Sequence, residues 1–445
     1  MSPARAFDKS RGPRGPCLTS NSPYPGWTVA RAAFVVLGVT YGLQYTFGIL
    51  LPEMETSTGW SRTQLSGLYS MYLFVYSLFG VVTGRLSDRM GPRRVITVGG
   101  VLFAIGWASL AIGREFWHAA IGFGVVAAIG MSASFVPCSA TVIKWFSARR
   151  GTALSIAISG AGLGGLIFPP LASWMMTTIG WRPTLVFLSA LVGISLVWAA
   201  RWMSPSPEAM GISIDGELHR RPGRAARQTT QGTLSEEQRS HSLGEALRTG
   251  SFWIIAGLFT CSWMTVFVPV VHLAPFVTSI GGSATQASVA LSAIGLGGLL
   301  GRVLSGPAAD RIGETPMLIV MLVVEVGAYL TFAISDDLRL IMVAAVAFGA
   351  AYGATVTLFS SVVGARFGRL HAGSIVGAVF IGAATSSAIG PFLAGILFDR
   401  TGGYRLIFSI GAAANTAAMV LAFALHIAIV RNRSIRPRSE PLKAP

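Results

Sequence analysis

The sequence predicts an all-α membrane protein with twelve transmembrane helices in two six-helix halves. Three observations lead to this prediction. Hydrophobic residues make up 52% of the 445 residues and charged residues only 12%, whereas soluble chains carry about 25% charged residues. Apolar stretches of about 20 residues, each long enough to cross a hydrocarbon core as a helix, recur along the chain. The second half of the chain also repeats motifs of the first.

The apolar stretches divide the chain into two halves, two tails and a linker. The polar tail 1–26 is rich in Pro, Gly and Arg and is predicted to be disordered and cytoplasmic rather than a signal peptide. An amino-terminal half follows at 27–203, a polar cytoplasmic linker at 204–250, a carboxy-terminal half at 251–430 and a cytoplasmic tail at 431–445. The twelve predicted spans are 27–51, 63–84, 94–113, 117–141, 151–178, 183–203, 252–279, 284–307, 316–334, 338–363, 372–398 and 403–430.

The distribution of charge predicts the orientation of these spans. The net charge of +16 would indicate a nucleic-acid partner in a soluble protein. If the amino terminus is cytoplasmic and each span switches sides, cytoplasmic segments carry 26 Lys and Arg residues and outside loops carry six. Because cytoplasmic loops are enriched in Lys and Arg, we expect both termini in the cytoplasm and no nucleic-acid partner. We expect a multi-pass protein of the plasma membrane, specifically the inner membrane of a bacterium.

An internal repeat relates the two halves. "GRLSDRMG" at 84–91 follows the second predicted span, and "GPAADRIG" at 306–313 follows the eighth, 222 residues later. Six-helix repeats in the same orientation are typical of transporters whose substrate site lies between the halves. The repeat therefore predicts a central site between the two halves.

Several blocks resemble a known family. The segment 84–94, "GRLSDRMGPRR", resembles the loop signature of the major facilitator superfamily. Further blocks resemble the monocarboxylate transporter family and the related bacterial oxalate/formate exchangers. These blocks are "GW" (26–27), "FGILLPEM…GWSRTQLS" (47–66), "KWFSARRGTALSIAISGAGLGG" (144–165) and "VHLAPF" (271–276). The resemblance covers essentially the whole chain outside the tails and linker.

This resemblance implies the twelve-helix major facilitator fold and a secondary active transporter. The implied substrate is a small organic monocarboxylate, lactate- or pyruvate-like, carried by alternating access with proton coupling. An organic anion exchanger of the oxalate/formate type and a multidrug or metabolite efflux carrier are the alternatives. The expected partners are the small organic anion, H⁺ and the lipid bilayer, and a monomer is expected.

Arg302 is the most informative single residue. It lies eight positions before Asp310, about 12 Å from the predicted boundary at the rise of 1.5 Å per residue. An arginine near the midplane costs at least ~2.5–3.5 kcal/mol without a partner or water, and a guanidinium can grip a carboxylate through two hydrogen bonds. The resemblance implies that Arg302 binds the substrate anion. The alternative is a buried ion pair with Glu325 of the ninth span.

Tyrosine and glutamine side chains are candidates for the rest of the pocket. Tyr41, Gln44 and Tyr45 share one face of the first span through i, i+3, i+4 spacing, and Tyr352 lies in the tenth span. Such faces supply donors to an anion beside an apolar wall. A similar face in the second span, "YSMYLFVY" (69–76), is interpreted as aromatic packing between helices.

Proton coupling has two candidate residues. In animal proton-coupled relatives an Asp stands four residues before the arginine, where this chain has Gly298. His272 lies in mid-span and titrates near physiological pH, so it could take a proton or contact the substrate. A hydrogen bond between helices is the alternative for this histidine. Glu325 is the second candidate proton carrier.

The repeated motif supplies candidate gating residues. Asp88 and Arg89 follow the second span, Arg93 opens the third, and Asp310 and Arg311 repeat the arrangement after the eighth. Carboxylates at a membrane boundary can pair with arginines and helix termini only when the helices are close. The resemblance implies that such contacts hold one conformation and break in the other. Plain topological charge is the alternative.

No enzymatic, cofactor or metal motif is found. "GAGLGG" at 160–165 lies inside an apolar span without a preceding strand, so it fails the context required of a nucleotide-binding turn. Close helix packing is the preferred interpretation of these glycines. The chain also lacks a Gly-Lys dipeptide and an HExxH motif. We therefore expect no catalytic activity, no cofactor and no metal, and an energy source in ion or substrate gradients.

Overall fold

A computed structural model describes residues 24–113, 115–146, 150–207, 210, 212, 241–367 and 372–435. Most of the predicted amino-terminal tail, of the linker and of the carboxy-terminal tail therefore lies outside the described residues. Within the described part, twelve helices are long and apolar enough to span a membrane, which confirms the predicted number. They are α1 Gly26–Thr58, α2 Arg62–Met90, α3 Pro92–Ile112, α4 Phe116–Trp145, α5 Arg150–Ile179, α6 Trp181–Ala200, α7 Gly250–Ser279, α8 Ala284–Ile312, α9 Glu314–Ile334, α10 Leu338–Phe367, α11 Ala372–Thr401 and α12 Arg405–Ile435.

Two helices depart from regular α-helix, and a short helix precedes α7. The first span is interrupted at Thr46, so it consists of the helices Gly26–Tyr45 and Phe47–Thr58. The fourth contains a π-helical stretch, Ala120–Ala127. The short helix Leu243–Leu247 begins at a capping box of Ser242 with Glu245, in the segment where the sequence predicts the end of the linker.

Several helices extend beyond the apolar stretches that predict them. The second predicted span ends at residue 84, but α2 continues to Met90, so the signature residues Asp88 and Arg89 lie in its last turns rather than in a loop. The helix ends at Gly91, whose φ of +85° suits glycine. Apolar composition marks only the part of a helix inside hydrocarbon, and a helix can continue into water until a residue breaks it.

The internal repeat is visible in the helix ends as well as in the sequence. Helix α2 begins with a capping box of Ser61 and Gln64, and α8 begins with the same box, Ser283 and Gln286. Gly91 and Gly313, which end α2 and α8, both have positive φ. All three pairs are separated by 222 residues, so the same local interactions start and stop the second helix of each half.

The faces of the molecule are named here by the chain ends. The terminal face holds the start of α1 and the end of α12, and the opposite face holds the turns after α1 and α11. Within the described residues, the two halves meet mainly where α1 packs on α7, α2 on α11 and α5 on α8. Glycines permit the α5–α8 approach, since a Cβ at Gly162 would lie 2.7 Å from the Leu299 backbone nitrogen. The "GAGLGG" segment is therefore a close-packing segment, as predicted.

A proline in α7 is supported by a side chain from α9. Pro269 has no N–H, so the carbonyl of Thr265, four residues earlier, loses its helical donor. The Tyr329 hydroxyl donates to this carbonyl at 2.6 Å, and Asn415 Nδ2 donates to the Thr265 hydroxyl at 3.0 Å. Both Tyr329 and Asn415 are fully buried. Helices α9 and α12 thus satisfy the polar groups at this break in α7.

Replacing Tyr329 with phenylalanine is expected to destabilise the protein by about 1–3 kcal/mol, because the Thr265 carbonyl would be buried without a donor. The measurement is the thermal unfolding of the purified protein in detergent. Tyr72→Phe is the matched control. Tyr72 is equally buried, but its hydroxyl has no hydrogen-bond partner in the described part of the chain. An equal loss of stability in both variants would contradict the assigned role of Tyr329.

Candidate functional site

A cavity of about 50 Å³ lies between the two halves. Helices α1, α2, α4 and α5 line it from the amino-terminal half, and α7, α8, α10 and α11 line it from the carboxy-terminal half. Each half thus contributes four helices, as expected for a site between two repeats. The wall is mostly apolar and aromatic.

Arg302 is the charged group of this cavity. The residue is 3% exposed, and its Nε and Nη1 atoms have no hydrogen-bond partner among the described residues. The guanidinium carbon lies 5.3 Å from the centre of the Tyr352 ring, within the range of a cation–π contact. Glycine at 298 leaves space for the guanidinium, since a Cβ there would lie 2.8 Å from Arg302 Nη1.

The alternative ion pair with Glu325 is not formed. Glu325 is fully buried in α9, and neither of its carboxylate oxygens has a hydrogen-bond partner in the described structure. Because no described carboxylate lines the cavity, the positive charge of Arg302 is uncompensated. Such a site favours an anion.

The predicted pocket residues divide into two groups. Tyr41 and Tyr352 line the cavity with Arg302. Gln44 lies outside the lining, and its Nε2 donates to the Tyr69 hydroxyl at 3.0 Å between α1 and α2. Tyr45 is also outside the lining, buried beside Tyr41 at a ring separation of 6.5 Å.

Several lining residues were not predicted, and Tyr76 is one of them. Tyr76 was interpreted as packing, but its hydroxyl lies 3.2 Å from that of Tyr41 inside the cavity wall. Its face-mates Tyr69 and Tyr72 do pack, both against Phe123. Helical spacing placed the three tyrosines on one face but could not show where along α2 the cavity begins.

Trp263 of α7 also lines the cavity without having been predicted. Its ring lies 5.5 Å from Phe380 and 5.6 Å from Phe359, and its buried Nε1 has no hydrogen-bond partner among the described residues. Buried indole N–H groups usually have a partner. Among the described residues, the Trp263 indole N–H and the Nε and Nη1 groups of Arg302 are therefore buried donors without acceptors. No sequence motif marked this tryptophan.

The two candidate proton carriers lie away from the cavity lining. His272 is fully buried towards the opposite face, where Nε2 is 3.3 Å from the Ser66 hydroxyl and 3.2 Å from the Pro391 carbonyl oxygen. It therefore contacts the other half through Ser66. Glu325 lies in α9, one turn from Tyr329.

The candidate gating residues lie at the terminal face. The Asp88 carboxylate pairs with Lys144 of α4 at 2.7 Å, rather than with an arginine of α3, and both side chains are largely exposed. Arg89, Arg93 and Arg311 are exposed. The side chain of Asp310 lies outside the described part of the structure. The Asp88–Lys144 pair joins α2 to α4 within one half. It was not predicted because the two residues lie 56 positions apart in the sequence.

The described residues contain no group of three or more His, Cys, Asp or Glu side chains that could hold a metal ion. The polar side-chain groups that line the cavity are hydroxyl, indole and guanidinium groups. These groups can bind and orient an anion.

Comparisons with known proteins agree with this architecture. Residues 33–281 and 252–444 match the Major Facilitator Superfamily. Mouse Monocarboxylate transporter 11 is 28% identical over 397 residues, with 86% of this chain and 83% of that protein covered. Rat Monocarboxylate transporter 13 is 26% identical over 392 residues, with 87% and 86% covered.

Solved structures with very different sequences share the fold. A crystal structure of the D-xylose-proton symporter superimposes with a TM-score of 0.68 at 14% identity, covering 91% of this chain and 98% of that one. A bacterial homologue of the human lysosomal transporter Spinster, in an inward-facing and unoccupied conformation, gives a TM-score of 0.59 at 16% identity, with 92% and 96% covered. At these identities the likeness concerns the fold alone.

Proposed function

The chain belongs to the major facilitator superfamily and is a transporter, and we propose that it carries a small organic monocarboxylate by alternating access. The observation that supports this proposal is the Arg302 guanidinium, buried in a cavity between the halves with two nitrogens lacking a partner among the described residues. A buried arginine without a counter-ion is costly. A bound carboxylate supplies both the missing charge and the missing acceptors.

The number of charges in the cavity sets the class of anion. Arg302 is the one cationic side chain among the residues that line the described cavity. One guanidinium neutralises one carboxylate, so a dicarboxylate would bring a second charge into a mostly apolar site without compensation. Tyr41 and Trp263 can donate hydrogen bonds to a hydroxyl or keto oxygen, as in lactate and pyruvate. The same argument disfavours an efflux carrier for cationic drugs, which would need a carboxylate here.

We place the terminal face in the cytoplasm. The excess of Lys and Arg in the predicted cytoplasmic segments, 26 against six, supports this orientation. The proposed location is the inner membrane of a bacterium, and the proposed functional unit is a monomer.

The proposed function is tested by uptake into liposomes containing the purified protein. Labelled pyruvate or lactate uptake is expected to be saturable and competed by the other monocarboxylate, because both present one carboxylate and one C2 oxygen to the cavity. Oxalate is expected to compete at least about tenfold less well, since its second charge stays unpaired. Competition by oxalate as strong as that by lactate would support the exchanger of the oxalate/formate type instead.

Energy coupling has two candidates. Proton symport would use His272 or Glu325 as the carrier. One observation favours exchange. Neither His272 nor Glu325 lines the cavity, and the positive charge of Arg302 has no counter-ion among the described lining residues. A site with an unpaired positive charge changes its side of access less readily than a site whose charge is neutralised by a bound anion. The return of the transporter without substrate is therefore disfavoured. In liposomes, acceleration by external acid identifies symport, and acceleration by internal unlabelled substrate at equal pH identifies exchange.

A further inference from the structure

A cluster of side chains joins the two halves between the cavity and the opposite face. We call it the latch. It consists of Arg62, Thr63 and Ser66 of α2 in one half and His272, Asp399 and Tyr404 in the other. These residues come from segments more than 200 residues apart in sequence, so only the closed arrangement of this face brings them together.

Arg62 provides the strongest contact of the latch. It is buried, and its Nη1 donates a hydrogen bond to the Tyr404 hydroxyl while its guanidinium carbon lies 4.0 Å from the centre of the Phe398 ring. Glu55 of its own half accepts from Nε at 3.1 Å and also pairs with Nη2. Burial raises the pKa of Tyr404 above its ordinary value, so the hydroxyl is neutral and can accept from the guanidinium.

The pairing within one half has a mechanical consequence. If the halves separate at the opposite face, Arg62 loses Tyr404 and Phe398 but keeps Glu55. The charge therefore stays compensated in both conformations, and Arg62 itself loses only one hydrogen bond and one ring contact on opening. A contact of this kind can be released and re-formed repeatedly.

Two further contacts cross the same boundary. The Thr63 backbone N–H donates to the Asp399 carboxylate at 2.9 Å, which places a negative charge of α11 at the amino-terminal end of α2. The Ser66 hydroxyl lies 3.3 Å from His272 Nε2. Glycine at 395 lets α11 approach here, since a Cβ would lie 2.8 Å from the Ser66 side chain.

We propose that this latch holds the opposite face closed and that its release, centred on the Arg62–Tyr404 contact, determines how often the cavity opens to that face. The proposal rests on the alternating access of the proposed function, but not on the identity of the substrate. It assigns roles to Arg62 and Tyr404 as positioning residues, and it places His272 in gating rather than in substrate binding.

The test measures opening without substrate, in a protein whose Cys17, Cys138 and Cys261 are replaced by Ser or Ala. Leu291→Cys reports on the opposite face, because Leu291 is 2% exposed and lies beside Gly48 of the other half. Ser77→Cys reports on the cavity. Alkylation of Leu291→Cys by a membrane-impermeant maleimide, added to the opposite face of sealed vesicles, is compared between the parent, Tyr404→Phe and Arg62→Lys.

Both latch variants are expected to raise the alkylation rate of Leu291→Cys by about tenfold, the lower range for loss of a hydrogen bond to a charged group. Arg405→Gln is the matched control. Arg405 lies on the same face and pairs with Asp336 at 2.9 Å, but within one half, so its loss should leave the rate unchanged. Ser77→Cys lines the cavity, so it should also react faster in both latch variants but not in Arg405→Gln, because the open face admits the maleimide to the cavity.

Three results would overturn the proposal. They are unchanged Leu291→Cys reactivity in both latch variants, an equal rise in Arg405→Gln, and unchanged Ser77→Cys reactivity, which would show that the opening does not reach the cavity. Because the assay contains no substrate, a protein that passes it but fails to transport pyruvate would refute the proposed substrate and leave the latch intact. A transporter of pyruvate with unchanged alkylation would do the reverse.

Discussion

Replacing Arg302 with alanine is expected to abolish saturable monocarboxylate uptake and to weaken substrate binding by about 30-fold or more. Loss of one partner of a buried, hydrogen-bonded charge pair costs about 2–5 kcal/mol. Arg302→Lys should be intermediate, because lysine keeps the charge but lacks the planar fork that holds both carboxylate oxygens. The measurements are binding of pyruvate to the purified protein and uptake in liposomes.

The unfolding temperature of Arg302→Ala distinguishes a loss of substrate binding from misfolding. Since Nε and Nη1 of Arg302 lack partners in the described structure, removing the charge should leave the unfolding temperature unchanged or raise it. Arg31→Ala is the matched control, because Arg31 also lies within a predicted span but is exposed. The substrate role assigned to Arg302 fails if Arg302→Ala takes up pyruvate like the parent.

Replacing Gly295 with valine is expected to inactivate the transporter and to lower its stability by about 3 kcal/mol or more. A Cβ at Gly295 would lie 2.8 Å from the Gly165 carbonyl oxygen and close to the Leu166 backbone nitrogen across the boundary between the halves. Backbone atoms cannot move aside as a flexible side chain can, and overpacking of a tight core costs about 1–3 kcal/mol even without backbone contact. Uptake and thermal unfolding in detergent are the measurements.

Gly327→Val is the control for this substitution. Gly327 lies exposed in α9, and a Cβ there would meet no described atom within 4 Å. The same change in helix propensity occurs there without any contact, so both activity and stability should stay near those of the parent. Equal losses in the two variants would show that the effect comes from helix propensity rather than from the α5–α8 approach.

The number of helices could be predicted because each span must satisfy its own backbone hydrogen bonds in hydrocarbon. That requirement leaves a local signal of about 20 apolar residues. Apolar composition does not indicate where a helix ends once it has entered water. For this reason α2 extends past its predicted end to Met90. Those ends depend on capping boxes and on glycines with positive φ, as at Ser61 and Gly91.

The prediction for Arg302 used an equally local argument. A charge eight residues from a boundary motif is costly wherever the helix packs, so the sequence alone marked it as exceptional. Its place in the cavity agrees with that argument. Trp263 could not be singled out in the same way. A tryptophan in a transmembrane span can face lipid, pack between helices or line a cavity, and the sequence does not distinguish these positions.

The sequence by itself determined the fold class, the twelve spans, the repeat between the halves and the exceptional position of Arg302, since each can be recognised from short local segments of the chain. Only the tertiary structure decided which faces meet. It put Tyr76 and Trp263 on the cavity wall, left Gln44 and His272 outside the lining, and paired Arg62 with Tyr404. The physical reason is that helix rotation and depth are set by packing between helices, and residues 342 apart in the chain carry no local record of their contact.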